Sequence, residues 1–378
     1  MSIESPIRVL QVVPSMNHGG IEHFLMNLYR AIDKTRVQFD FMYRVPYQCV
    51  FDSEILSLGG RIIRCVDPDR HPLKASRFYR RFFVEHPEIR VIHEHRSGCD
   101  GFFGAMRAAR RCNIPVRILH SHSSRKGWRH NPIKDVTDAI NAPRLDSFAN
   151  AFIACSDVAA DYLYGRCSRA TSECVIRPNA IDICSFAFSL ESRAKVRQLL
   201  NIPEDALVIG HVGRFVSEKN QSFLLDVALA LRANGVPAEL LFLGGGVTQA
   251  EVKQKAENLN IANSVHFAGV QEDMSPYYSA MDVFCMPSLF EGLPVSCVEA
   301  QANGLPMVLS AGISQMADIC GHTTYMDLSM GAVNWGKAVC KVANEGRSDN
   351  YQELRSAGYD IAVAAREFEA LYLNGAFV

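Results

Sequence analysis

Short β-branched apolar runs alternate with amphipathic stretches in two successive series along the 378 residues, and this alternation constrains the fold more than any other feature. A strand followed by a helical stretch delivers the chain to a parallel neighbour, so each series builds a parallel sheet with helices on both faces. In the first series, residues 8–13, 37–43, 61–65, 89–94, 116–120, 151–155 and 174–177 read as strands, with a helix over 21–32. Turn chemistry at 178–182 and a charged, apolar-poor stretch at 185–197 interrupt it. The second series has strands at 207–212, 239–243, 265–268, 283–286 and 306–309, with helices at 220–232, 249–259, 273–280 and 293–303 between them. From 351 to 373, Leu354, Tyr359, Ile361, Ala365, Phe368 and Leu371 recur at helical spacing and predict a closing amphipathic helix.

One hydrophobic core rarely organises a chain this long, so two domains are expected, 1–184 and 185–360, followed by a C-terminal helix in 361–378. In open parallel sheets ligands bind beyond the carboxyl ends of the strands, which places function in the loops of a cleft between two facing sheets. Lysine and arginine number 39 against 40 acids, a balance that gives no global electrostatic case for nucleic acid. The 12 cysteines lack metal-ligand spacing and fit a reducing, cytoplasmic setting. Residues 1–6 lack the regions of a signal peptide and no apolar run approaches the ~20 residues of a membrane span, so membrane contact is expected to be peripheral.

Gly213-Arg214 follows a strand, and Lys219 comes just before the next helix, so two cations project near one strand end. Fixed cations in a water-poor site neutralise the charge that develops on a diphosphate leaving group. Glu291-Gly292-Leu293-Pro294 precedes a helix whose free amides suit a phosphate, with Gly292 permitting close approach. Glu299, eight positions after Glu291, is placed to accept hydrogen bonds from ribose hydroxyls. Gly244-Gly245-Gly246 lacks the full dinucleotide fingerprint and reads as another loop near the nucleotide. His93-Glu94-His95 places two histidines on one strand face, a pattern that structural packing explains better than a metal. Arg77, Arg80 and Arg81 interleave with Phe78, Phe82 and Phe83 as a solvated face over core aromatics; Arg125-Lys126 with Trp128-Arg129 follows His122 and is a candidate for an acceptor phosphate or lipid headgroup.

The order and spacing of Gly213-Arg214, Lys219-Asn220, Gly244-Gly245, Phe267-Ala268-Gly269, Pro287-Ser288, Glu291-Gly292-Leu293-Pro294 and Glu299-Ala300 resemble the retaining GT-B glycosyltransferases with an E-x7-E motif, family four in the usual classification. Gly19-Gly20 before a helix resembles that family's glycine-rich loop, and 178–182 its interdomain PNGID segment, with Ala180 in place of the glycine. The resemblance spans nearly the whole chain. It implies two Rossmann-like domains facing a central cleft, with the C-terminal helix crossing back to the N-terminal domain. By the same resemblance Arg214 and Lys219 hold the donor diphosphate, Glu291 faces the donor sugar and Glu299 holds the ribose. The family's histidine near the reacting carbon of the sugar matches His120, favoured for its place at the strand end, with His122 as the competing candidate; His122, Arg125 and Lys126 are acceptor-side candidates. The expected reaction transfers a sugar, from a UDP-sugar for preference or another nucleoside diphosphate sugar, to a glycan or lipid-linked acceptor in surface-polysaccharide assembly. It would proceed with retention, without metal or cofactor, in the cytoplasm or at the inner face of the plasma membrane. A sugar-nucleotide epimerase, a phosphorylase on the same scaffold, and a non-catalytic sugar-nucleotide-binding protein are the competing readings.

Overall fold

The structure is a computed structural model that describes residues 5–68, 70–96, 98, 103–122 and 132–375. The chain forms two compact units, Met1–Ile181 with Asp360–Val378, and Asp182–Tyr359.

In the first unit the strands are β1 (Ile7–Val12), β2 (Val37–Tyr43), β3 (Arg61–Arg64), β4 (Ile89–Arg96), β5 (Val116–Ser121), β6 (Ala151–Ala154) and β7 (Val175–Ile176). Between them run α1 (Gly20–Ala31), α2 (Asp52–Ser57), α3 (Pro72–Glu85), α4 (Gly104–Arg111), α5 (Pro132–Asn141), α6 (Asp157–Tyr164) and α7 (Ser168–Glu173). All pairings are parallel and the spatial order is β3-β2-β1-β4-β5-β6-β7. Winding therefore reverses between β1 and β4. Alternate residues cover opposite faces: Val9, Phe39, Val91 and Ile118 pack in one layer, Leu10, Met42, Ile92 and Leu119 in the other. On α3, Tyr79, Phe82 and Phe83 are buried while Arg77, Arg80 and Arg81 are exposed.

The second unit contains α8 (Leu190–Leu199), β8 (Leu207–Val212), α9 (Ser222–Ala233), β9 (Ala238–Leu243), α10 (Gln249–Asn258), β10 (Val265–Gly269), α11 (Ser275–Ala280), β11 (Val283–Met286), α12 (Val295–Ala302), β12 (Met307–Ser310), β13 (Thr323–Met326), α13 (Gly331–Glu345) and α14 (Tyr351–Ser356). Its order, β10-β9-β8-β11-β12-β13, repeats the same winding with the reversal between β8 and β11. Both β13 and α13 were not anticipated from the sequence. The apolar-poor stretch 185–197 proves to carry most of α8, which docks through ions rather than a broad apolar face: Arg193 and Arg197 reach the two oxygens of Asp282 at 2.6 and 2.7 Å, and Asp282 also accepts from the Val208 amide.

The predicted single helix over 351–373 is two. After α14 the chain turns at Gly358 (φ 87°), and α15 (Ile361–Asn374) begins anew, capped by the Asp360 carboxylate on the Ala362 amide at 2.8 Å. Helical spacing continues across the break, which is why the pattern looked unbroken. The α15 helix belongs to the first unit, where Ile361, Ala364, Ala365, Phe368, Leu371 and Tyr372 join the layer formed by α1 and β2. Arg177–Glu367 at 2.7 Å and an Arg36–Glu369 ion pair flank it. Phe368→Ala is expected to destabilise the protein by about 3–5 kcal/mol. Urea unfolding followed by circular dichroism measures it, and an unchanged midpoint would place α15 outside the core.

Candidate functional site

Where winding reverses, the loops after two adjacent strands leave in opposite directions and open a crevice at their carboxyl ends. In the second unit these are the loops after β8 and β11, and they contain the residues singled out from the sequence. The Gly213 amide donates to the Leu243 carbonyl and the Gly244 amide to the Gly269 carbonyl, lacing the β8, β9 and β10 ends together. Gly244 has φ 121°, and a Cβ there would collide with the Gly213 carbonyl oxygen, so glycine is sterically required. Gln221 donates to the Arg214 carbonyl at 2.8 Å, fixing the Arg214 backbone while its side chain remains exposed. Asn220, in the left-handed region at φ 52°, ends the short turn that carries Lys219 and donates to the Pro287 carbonyl. The Lys219 ammonium meets the Glu291 carboxylate at 2.8 Å, joining the β8 loop to the β11 loop. An added Cβ at Gly292 would touch nothing within 4 Å, so the fold itself makes no demand for glycine there.

The helix predicted from residue 293 begins two residues later. Pro294 occupies the cap position of α12, Leu293 packs against the layer below, and Glu299 lies little more than one turn in, not two. Glu299 is 8% exposed and accepts from the Tyr278 hydroxyl at 2.6 Å. Burial pushes its carboxyl up to about 7, against the lowering effect of that hydrogen bond. Sequence reasoning missed Tyr278 and also His211, a lone polar residue near the end of β8. His211 is buried, donates from Nδ1 to the Cys285 carbonyl at 2.9 Å, and is held to about 3 by burial and by the Lys219 charge. Its Nε2 has no hydrogen-bond partner among the described residues.

In the first unit, Gly19 is the extended cap residue of α1 and Gly20 its first helical residue; no side chain caps the helix. His120 is fully buried at the end of β5, and His122, just beyond it, is half-buried. Neither stands alone. Register sets Gln11 beside His93 and His95 beside His120, so the polar side chains of β1, β4 and β5 line one face at the reversal point. His93 bonds to Tyr372 of α15 at 2.9 Å and to His120 at 3.2 Å; His95 bonds to His122 at 2.8 Å and to Gln11 at 2.9 Å. His122 also meets the side-chain amide of Asn179 at 3.1 Å. Glu94 points to the other face and pairs with Arg96 at 2.6 Å. His93, His95 and His120 lie close enough to surround a cation, but five of their six ring nitrogens already bond to one another, Tyr372, Gln11 or His122. A metal would have to break those bonds. Arg125 and Lys126 lie outside the described residues.

The family model described as Glycosyl transferases group 1 matches residues 192–325. The EpsF protein of Bacillus subtilis (strain 168), whose glycosyltransferase name is provisional, is 36% identical over 360 residues, covering 93% of this chain and 93% of EpsF. The capsular polysaccharide biosynthesis glycosyltransferase CapH of Staphylococcus aureus is 21% identical over 378 residues, 97% of this chain and 99% of CapH. The crystal structure of Alr3699/HepE from Anabaena in complex with UDP matches with a TM-score of 0.74 at 17% identity, covering 98% of this chain and 100% of that one, a likeness of fold. The chain belongs to the group 1 glycosyl transferases, and its two parallel-sheet units are those of the GT-B fold. Among the described residues no helix is long and apolar enough to cross a membrane.

The Glu299 carboxyl gives a pH signature. Because its folded pKa lies above the usual 4.5, the stability it contributes is fully present below about 4.5 and is lost as pH rises through about 7. The loss is on the order of 3 kcal/mol. Urea titrations between these limits should show it in the native protein and not in Glu299→Gln.

Proposed function

We propose that this glycosyltransferase moves a sugar from a nucleoside diphosphate sugar, UDP-linked for preference, to a hydroxyl of a glycan or lipid-linked acceptor in surface-polysaccharide assembly. The observation that carries the reading is the second unit's reversal point, where Lys219 and Glu291 pair across two loops, the first of which carries the exposed Arg214 and the second leads into the helix of the buried Glu299. Cations of this kind suit a diphosphate, and a buried carboxyl suits a ribose diol. Arg214 and Lys219 take up charge as the bond from the sugar's anomeric carbon to the diphosphate breaks. Glu291, held by Lys219, faces the sugar. Gly213, Gly244, Gly292 and Leu293 bring backbone to the nucleotide, and Gly19, Gly20 and His120 of the first unit serve the transferred sugar. The acceptor oxygen bonds to that carbon on the face the diphosphate leaves, its proton passing to the departing diphosphate, so configuration is retained. The chemistry needs no metal, since the two cations supply the charge a metal would.

Relatives support this reading. HepE has also been crystallised with UDP-glucose. An Escherichia coli relative, 28% identical over 136 residues and 35% of each chain, is named for UDP-Gal as donor and a diphosphoundecaprenol-linked acceptor. An acceptor of that kind would place this protein at the inner face of the membrane.

A thermal-shift panel of UDP-, GDP- and ADP-sugars in EDTA tests the proposal: one nucleotide series should raise Tm in proportion to occupancy, and no response to any of them would overturn it. Arg214→Ala should lower kcat by about a hundredfold or more with the Tm of the free protein unchanged. Steady-state turnover at saturating donor measures this, and unchanged turnover removes Arg214 from leaving-group stabilisation.

A further inference from the structure

His93, His95, His120 and His122 of the first unit, with Gln11 and Tyr372, form one continuous hydrogen-bonded relay whose proton positions can be assigned group by group. Gln11 holds the centre. Its carbonyl accepts from His95 Nε2 at 2.9 Å and its amide donates to the Tyr372 hydroxyl at 3.3 Å. The Tyr372 oxygen is thereby supplied with a donor, and its own O–H points along the shorter contact, 2.9 Å, to His93 Nδ1. A phenol hydroxyl is the stronger donor of the pair and imidazole nitrogen the stronger acceptor, so bond length and chemistry agree on this direction. A neutral His93 with Nδ1 accepting carries its proton on Nε2 and donates it to His120 Nδ1 at 3.2 Å. A neutral His120 must then carry its own proton on Nε2. That atom is buried and has no hydrogen-bond partner among the described residues.

Neutrality is secured by the surroundings. Burial, and then the neighbouring histidines, hold His93 and His120 well below the ordinary histidine range, and burial keeps the Tyr372 phenol protonated. On the other arm His95 Nδ1 and His122 Nε2 lie 2.8 Å apart, and His122 Nδ1 lies 3.1 Å from the side-chain oxygen of Asn179; with that amide turned through 180° its N–H donates to His122 Nδ1, and His122 Nε2 then donates to His95 Nδ1.

We propose that Tyr372, on the helix that returns from the C-terminus, is a positioning residue that holds His120 in the Nε2–H tautomer, so that the end of β5 presents a hydrogen-bond donor, and not a lone pair, to an oxygen of the sugar. The proposal rests on the reading that His120 serves the transferred sugar. An unpaired buried N–H is costly unless a ligand supplies its acceptor, and the fixed proton means that the ring spends nothing on reorientation when that ligand arrives. Without the Tyr372 hydroxyl, His93 loses the donor that keeps its Nδ1 bare. The His93–His120 pair can then reverse, leaving His120 with a lone pair facing an oxygen.

The test uses the full chain labelled with 15N-histidine, the His120 signal being assigned by its loss in His120→Gln. The native protein should show His120 as the Nε2–H tautomer. Tyr372→Phe should shift it toward the Nδ1–H form and lower kcat by about five- to tenfold, the effect of one hydrogen bond, with little change in donor KM. Leu371→Ala, which loosens the same helix without touching the relay, should leave tautomer and kcat unchanged. A native-like His120 signal in Tyr372→Phe would overturn the proposal, as would a shifted tautomer with full turnover while His120→Gln is impaired. Full turnover in His120→Gln would instead overturn the role given to His120, and with it any use of the relay in the reaction.

Discussion

A parallel sheet covered on both faces leaves its chain only two ends at which to turn, and within each unit every strand finishes at the same end of its own sheet. Reversal of winding beside β1 and beside β8 then sends neighbouring loops apart and exposes strand ends that helices elsewhere cover. The rest of the structure depends on this constraint. It gathers Gly213, Arg214 and Lys219 with Glu291 although more than seventy positions separate them in the chain. It also gathers Gln11, His93, His95 and His120 from three strands.

The two reversal points are furnished differently. In the second unit the polar groups sit in loops above the strand ends, tied by backbone hydrogen bonds and by the Lys219–Glu291 pair, with Arg214 left in solvent. In the first unit they lie within the sheet face itself, where burial forces each one to find a partner. A loop that leaves Arg214 exposed can adapt its side chain to an anion. A buried relay cannot adapt in this way, and the ring at its end is held in one orientation by its hydrogen bond.

Much of the architecture was legible. Strands 207–212, 283–286 and 37–43 match the observed elements residue for residue because largely buried runs rich in β-branched and aromatic residues leave little ambiguity. The failures have identifiable physical sources. Apolar spacing ran smoothly across Gly358, so two helices looked like one. The α8 helix buries arginine rather than leucine, so its docking face was invisible to hydropathy. Pro294 delays α12 because a proline is better placed at the threshold of a helix than inside it. The placement of Arg214, Lys219, Glu291 and Glu299 around strand and helix ends was legible because that spacing is local. Tyr278 could not be found, since it reaches Glu299 from α11, a different element.

The sequence by itself determined two parallel α/β units and the loops that bear the charged residues, because periodicity and turn chemistry are properties of short segments. It also showed His93 and His95 at alternate positions, which places the pair on one face of its strand, and His120 at the end of another. Tertiary structure decided that these histidines meet on the same face and that Gln11 and Tyr372 complete the group. Strand order, register and the docking of α15 set these relations between segments distant in sequence. A hydrogen bond between groups hundreds of residues apart leaves no trace in the local pattern of either one.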